Sequence, residues 1–321
     1  MRTWESDWVS PGLATGPVGR LLHPFEPVIK WGHVFARPFK LFGVGAPARM
    51  GRDQNTQPAR SRNRGLLHYD TTDDDVAPLL DAVRVRSPGM IDFASKRVLT
   101  FDCYGTLIDW EAGIVATLQP ILSAHGMRAD AEHLLALYSE LEPAVEQGPY
   151  RPYRELLMAV LRGFGERLGF SPSEPEQARF AGSVGDWPPF ADTPVALVAL
   201  KRRFKLAIVS NVDDDLFALT NKKLGVVFDW IITAQQVGSY KPSLNNFRQA
   251  LTRIGLPKEN VLHVAQSLFH DHMPAKQLGL DTVWVNRRHG KAGSGASPSA
   301  NVRPDLEVPD LAKLVRLSGA G

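Results

Sequence analysis

From Arg97 onward, short apolar runs alternate with stretches whose apolar residues recur three and four apart, and that alternation limits the chain to very few folds. The runs VLTF (98–101), KLAIVS (205–210), WIITA (230–234), VLHVA (261–265) and TVWV (282–285) have no helical spacing and read as buried strands. Helices are expected at Glu111 to His125, Pro194 to Arg203, Leu216 to Leu224, Asn245 to Ile254 and Pro274 to Leu278, with a closing helix at Pro309 to Leu317. Strand–helix–strand order implies right-handed crossovers, so the expectation is a doubly wound, Rossmann-like α/β core with a parallel sheet covered on both faces. Residues 113–191 contain no strand run. HLLALYSELEPAVEQ and YRELLMAVLRGFGERLG within them read as helices of an inserted cap, closed by Pro188 and Pro189. The organisation is then residues 1–89 as a low-order extension, 90–112 and 192–321 as the core, and 113–191 as the helical cap. HGKAGSGASPSAN (289–301) reads as a flexible connector.

Ligands of open parallel sheets bind beyond the carboxyl ends of the strands, so polar residues there are the candidates for chemistry. RVLTFDCYGTLID (97–109) ends its apolar run on Asp102; Gly105 lets the chain turn away, and Thr106 follows within reach of an anion beside Asp102. Taken alone, such an aspartate is more often a helix or turn cap than a catalyst. Ser210 and Asn211 end the second run, where the plain reading is that Asn211 or Asp213 caps the next helix. Lys241 precedes Pro242, which biases it to an extended backbone, though a loop lysine is ordinarily solvated. His263, His270 and His272 do not share the spacing of a preformed metal-ligand set. The single cysteine, Cys103, excludes an internal disulfide and a thiolate zinc cluster and reads as a small apolar filler.

These positions, in this order, resemble the four motifs of the haloacid dehalogenase superfamily. Asp102, Cys103, Tyr104, Gly105 and Thr106 match its first motif, with Asp102 at the nucleophile. Phosphatases of the superfamily carry a second aspartate where this chain has Tyr104, and the L-2-haloacid dehalogenase branch carries tyrosine there. Ser210 and Asn211 resemble the second motif, which binds the anionic group of the substrate, and Lys241 resembles the lysine of the third. In the fourth, HVAQSLFHDH places Gln266 where phosphatases have a magnesium-binding aspartate, and Asp271 matches the later aspartate.

The resemblance implies hydrolytic dehalogenation of a small 2-haloacid through an ester on Asp102. Lys241 and Asp271 would orient or deprotonate the hydrolytic water, Thr106, Ser210 and Asn211 would hold the carboxylates, and Tyr104 would line the pocket. It implies no obligatory cofactor, since a neutral amide at Gln266 is a poor ligand for a hard cation and leaves only a weak magnesium site through Asp102 and Asp271. The branch also places a halide-receiving arginine in the first cap helix, where LYSELEPAVEQ has none; Arg151 and Arg154 lie nearby and more often such residues form a solvated face. Two alternatives remain: a magnesium-dependent phosphatase of a small metabolite, and a non-catalytic binding protein using its basic N-terminal extension.

Charge bears on partners. Residues 1–65 hold 10 basic and 4 acidic residues, a surplus of six against +3 for the whole 321-residue chain, so the remainder is net −3. The core therefore shows no basic field suited to nucleic acid. With 44% apolar residues, no run near the ~20 residues of a membrane span and no secretory signal, the chain is expected to be cytoplasmic and to act on a small anionic molecule. The sequence is compatible with a homodimer and does not specify one. A chain starting at Met90 is expected to fold and retain full activity.

Overall fold

The computed structural model describes residues 91–321, apart from 292 and 294; the expectations for residues 1–89 and for a start at Met90 lie outside the described residues. In chain order the elements are β1 (Val98–Phe101), α1 (Trp110–Ala124), α2 (Ala131–Val145), α3 (Tyr153–Leu168), α4 (Glu174–Gly182), α5 (Thr193–Lys201), β2 (Lys205–Ser210), α6 (Asp214–Leu224), β3 (Trp230–Thr233), the single turn α7 (Ala234–Val237), α8 (Leu244–Ile254), β4 (Val261–Ala265), α9 (Met273–Gln277), β5 (Asp281–Val285), β6 (Leu306–Val308) and α10 (Leu311–Ser318).

The six strands form one sheet in the order β3-β2-β1-β4-β5-β6, and every pairing is parallel. Strand β1 is central and fully buried, with Leu99 in register with Leu206 on one side and Leu262 on the other. The chain builds outward from β1 through β2 and β3, then crosses back to place β4 on the opposite side. The order therefore reverses at β1, and the crevice beyond the carboxyl ends of β1, β2 and β4 is the fold's natural ligand site. The edge strand β6 was not expected: three residues bounded by Pro304 and Pro309 are too short to show a period.

Helices α2, α3 and α4 pack on one another between β1 and α5, with α3 in contact with both neighbours. The chain enters and leaves this helical layer side by side. Ile108 forms an antiparallel bridge with Pro189, and the Asp109 amide donates to the Pro188 carbonyl at 2.8 Å. The N-terminus of α3 has Pro152 at its cap, which offers no side-chain acceptor. Asp213, after β2 in the core, supplies one: it accepts from the Tyr153 and Arg154 amides at 2.9 and 3.1 Å. Asp213 does occupy the capping position of α6, but its side chain is spent across the gap on α3, so the expected capping bond to its own helix is not made.

Packing of α1 onto this layer depends on one small residue. A Cβ on Gly113 would lie 2.2 Å from the buried indole of Trp187, whose Nε1 is held by Ser183 Oγ. Gly113→Ala is expected to destabilise the protein by about 1–3 kcal/mol, the usual range for overpacking a dense core. Chemical denaturation should show a lower midpoint; an unchanged midpoint would contradict this packing.

Candidate active site

Asp102 is the first residue beyond β1, and its amide still bonds to Val264 of β4, which fixes the backbone at the sheet's reversal point. Gly105 then adopts φ +91°, open to glycine at little cost, and turns the chain back so that the Gly105 amide meets the Ile108 carbonyl at 2.8 Å. That turn brings Thr106 Oγ1 to within 2.6 Å of Asp102 Oδ2, to which it donates, while it accepts from the Gln266 amide at 2.8 Å. The hydroxyl of Thr106 is thus committed to orienting Asp102. Arg287 secures the same turn from outside, donating twice to the Thr106 carbonyl and once to Asp192.

Lys241 lies on the loop after β3, and Asn211 holds it there. The Asn211 carbonyl oxygen accepts from the Lys241 amide at 2.7 Å, and its NH2 donates to the Lys241 carbonyl at 3.1 Å. Asn211 therefore does not cap α6; it ties the β2 loop to the β3 loop. The buried Lys241 ammonium donates to Asp102 Oδ1 at 2.8 Å, Asp271 Oδ1 at 2.7 Å and the Val209 carbonyl at 3.0 Å. Three donors meet three acceptors, which leaves no free N–H and no lone pair.

Asp271 follows β4 on a π-helical turn over Leu268–His272. Its Oδ1 also accepts from His263 Nε2 at 3.0 Å, and His263 Nδ1 lies 2.9 Å from Thr100 Oγ1. Because a carboxylate only accepts, His263 carries its proton on Nε2. Asp271 Oδ2 and Ser210 Oγ are both buried, with no hydrogen-bond partner among the described residues. Tyr104 is buried, its hydroxyl 3.0 Å from Thr220 Oγ1 and its ring edge-on to Trp187 at 5.7 Å.

Charge and burial compete here. Burial disfavours the ammonium, yet Asp102 and Asp271 raise the Lys241 pKa above its ordinary value. At Asp271 burial works towards protonation, but Lys241 and His263 outweigh it and hold the carboxyl well below the usual range. Asp102 goes the other way: burial raises its pKa, Lys241 opposes this, and the nearby Asp271 charge adds to the rise. Burial likewise pushes the Cys103 thiol well up, as suits an inert apolar filler.

The helical layer contributes residues that sequence reasoning did not single out. Glu142 of α2 and Tyr153 of α3 line the same cavity as Asp102, Tyr104, Ser210 and Asp271. Glu142 is buried, and its Oε1 accepts from Tyr138 at 2.8 Å and Tyr153 at 2.7 Å. Desolvation raises its pKa to about 7, against the pull of both phenols. Since the folded state holds this proton up to a higher pH than the unfolded chain, stability is lost as pH rises from about 4.5 to about 7. We expect Glu142→Gln to remove up to about 3 kcal/mol of that decline, measured as the difference between wild-type and variant unfolding free energies at pH 5 and pH 8. Parallel curves would contradict this.

The reading of residues 289–301 is corrected. The segment read as a flexible connector supplies part of the wall: Ala296 and Ser297 are buried, Ser297 Oγ donates to Gln266 Oε1 at 3.2 Å, and the Ala296 amide meets Glu111. Among Gly and Ser residues that signal was invisible. Arg151 and Arg154 lie outside the cavity; Arg151 donates to the Val145 carbonyl and Arg154 pairs with exposed Asp215. The three histidines diverge, with His270 beside Ser267 and His272 on the Ala265 carbonyl, and no group of three or more His, Cys, Asp or Glu among the described residues could hold a metal ion. No described helix is long and apolar enough to cross a membrane.

A parallel sheet that reverses at an aspartate, with a lysine and a second aspartate converging on it beneath a layer of helices, makes this a doubly wound α/β protein with a strand-end carboxylate at its switch point. Haloacid dehalogenase-like hydrolases match residues 96–279, more than half of the chain, and this protein belongs to that family. It is 28% identical over 220 residues to an (S)-2-haloacid dehalogenase of Pseudomonas fluorescens, covering 67% of this chain and 92% of that one. It is also 26% identical over 151 residues to the pyrimidine 5'-nucleotidase YjjG of Escherichia coli (strain K12), covering 46% and 67%. Among solved structures, an L-2-haloacid dehalogenase superposes with a TM-score of 0.58 at 25% identity, covering 70% of this chain and all of the other.

Proposed function

We propose that this hydrolase cleaves the carbon–halogen bond of a small 2-haloacid through an ester on Asp102. The observation that carries the reading is the Lys241 ammonium between Asp102 and Asp271. Those are the carboxylates a divalent cation would need, and a lysine already neutralises them from within the protein. Gln266, the remaining group on that side, is a neutral amide whose oxygen accepts from Ser297. This donor set does not fit a hard cation that favours several carboxylates, and no step is routed through a metal.

The chemistry follows from the groups present. An Asp102 oxygen attacks the halogen-bearing carbon, the carbon–halogen bond breaks and halide leaves with the electron pair. The substrate's carboxylate is received by the unpaired Ser210 hydroxyl, with Tyr104 packed beside it. Water then attacks the Asp102 carbonyl carbon, giving the 2-hydroxy acid and returning the carboxylate with one oxygen from water. Lys241 is locked as an ammonium and stabilises the developing oxyanion, so proton acceptance falls to the free Oδ2 of Asp271. The cavity that these side chains line is small, which suits a small monoanion. The same reading retains a cytoplasmic setting.

Incubation with chloroacetate, 2-chloropropionate or a phosphate ester, each with EDTA or with magnesium, tests this. Halide release that EDTA does not reduce is expected. Magnesium-dependent phosphate release without halide release would reject the proposal.

A further inference from the structure

In an in-line displacement the leaving group departs on the side away from the nucleophile. With Asp102 on the core, that side is the cap, and the cap groups lining the cavity are Glu142 and Tyr153. Among the described residues no arginine lines it. The departing atom therefore meets a carboxyl group backed by two phenols.

The hydrogen bonds settle how that carboxyl is arranged. Both phenols donate to Oε1 of Glu142, and among the described residues Oε2 has no hydrogen-bond partner. A carboxylic acid keeps its carbonyl oxygen as acceptor and carries its proton on the other oxygen, so in the neutral form the proton sits on Oε2 and is free to point into the cavity. Tyr138 is in turn packed edge-on to Trp110 at 5.6 Å, and its hydroxyl is 3.3 Å from that of Tyr153, so the acceptor side is rigid.

We propose that Glu142, held by Tyr138 and Tyr153, is the leaving-group site of this enzyme, and that it acts as a neutral hydrogen-bond donor selecting for fluoride among the halides. This rests on the 2-haloacid reading above. Fluoride is the smallest halide, the strongest hydrogen-bond acceptor and the poorest leaving group, so it gains most from a fixed donor. The heavier halides need little such help. As Asp102 bonds to carbon, the carbon–fluorine bond breaks and fluoride leaves with the electron pair, hydrogen-bonded to the Oε2 proton, which stays on Glu142. An ionised Glu142 would instead repel the departing anion. The groups facing Glu142 are Tyr138 and Tyr153; further off, the charge of Asp102 favours the neutral form, and burial together with Glu142 pushes the carboxyl of Glu146 well up in turn.

Fluoride and chloride release from fluoroacetate and chloroacetate should be measured from pH 5.5 to 8.5 for wild type, Glu142→Ala and Glu142→Gln. We expect wild type to release fluoride, with the fluoride-to-chloride rate ratio falling as pH rises through neutrality. Glu142→Ala should lower that ratio by at least about tenfold, the scale of losing one aimed donor. Glu142→Gln keeps an acceptor for the phenols and an N–H towards the cavity. It should keep the ratio within about threefold of the wild-type acid value and lose its pH dependence, which a merely structural role for Glu142 would not produce. Chloride release without fluoride release, or a Glu142→Gln ratio with the wild-type pH dependence, overturns this inference alone. Release of neither halide overturns it together with the 2-haloacid reading.

Discussion

Asp102→Asn is expected to abolish halide release, with kcat lower by at least about 10⁴-fold, because an amide nitrogen or oxygen cannot replace a carboxylate that must bond to carbon. The fold should survive. The asparagine oxygen can still accept from Lys241 and its NH2 can turn towards Thr106, and the exchange removes a buried charge that burial and Asp271 both disfavour. A melting temperature no lower than wild type is therefore expected alongside dead chemistry, as is common where function maintains strain at a site. The direct companion is a single turnover in H2-18O. One heavy oxygen should appear in the wild-type peptide containing Asp102, and label found only in the product would place the nucleophile elsewhere.

Lys241→Met carries the second large effect, on stability and on rate. The ammonium satisfies two buried carboxylates and the Val209 carbonyl, and its removal leaves Asp102 and Asp271 with only Thr106 and His263 as partners. Breaking a buried charge pair by deleting one partner costs about 3–5 kcal/mol. The proton balance amplifies the loss. Lys241 is what opposes the upward pull of burial on Asp102, so without it the nucleophile protonates at higher pH. The acidic limb of the rate profile should move up by at least about one pH unit, with kcat down by about 10²–10⁴ where the nucleophile remains ionised. An unshifted acidic limb would show that Lys241 does not set the charge of Asp102.

The strand ends were legible because a buried parallel strand needs an unbroken apolar run, and the first polar residue after it is then visible in the sequence. Asp102 and Ser210 fall in that class, Lys241 was marked by the proline that follows it, and Asp271 by the resemblance of HVAQSLFHDH to the fourth motif. What stayed hidden depends on contacts between distant segments. Glu142 looks like the polar face of an amphipathic helix until Tyr153, eleven residues on and past a turn, is seen to donate to it. Asn211 and Asp213 have the composition of helix caps, yet their side chains reach Lys241 and α3, partners that only the tertiary fold supplies. Ser297 sits in a run whose Gly and Ser content reads as a linker; the bond to Gln266 gives it a place in the wall.

The paired crossing at Ile108 and Pro189 has an evolutionary side. Because the two connections to the helical layer run next to each other, whatever is spliced between them closes a loop whose ends are already together, and its length costs little. Asp102, the proposed nucleophile, belongs to the sheet, whereas Glu142 and Tyr153 belong to the spliced piece. Preference for one departing atom over another can thus drift through exchange or redesign of the insert while bond-making is inherited unaltered.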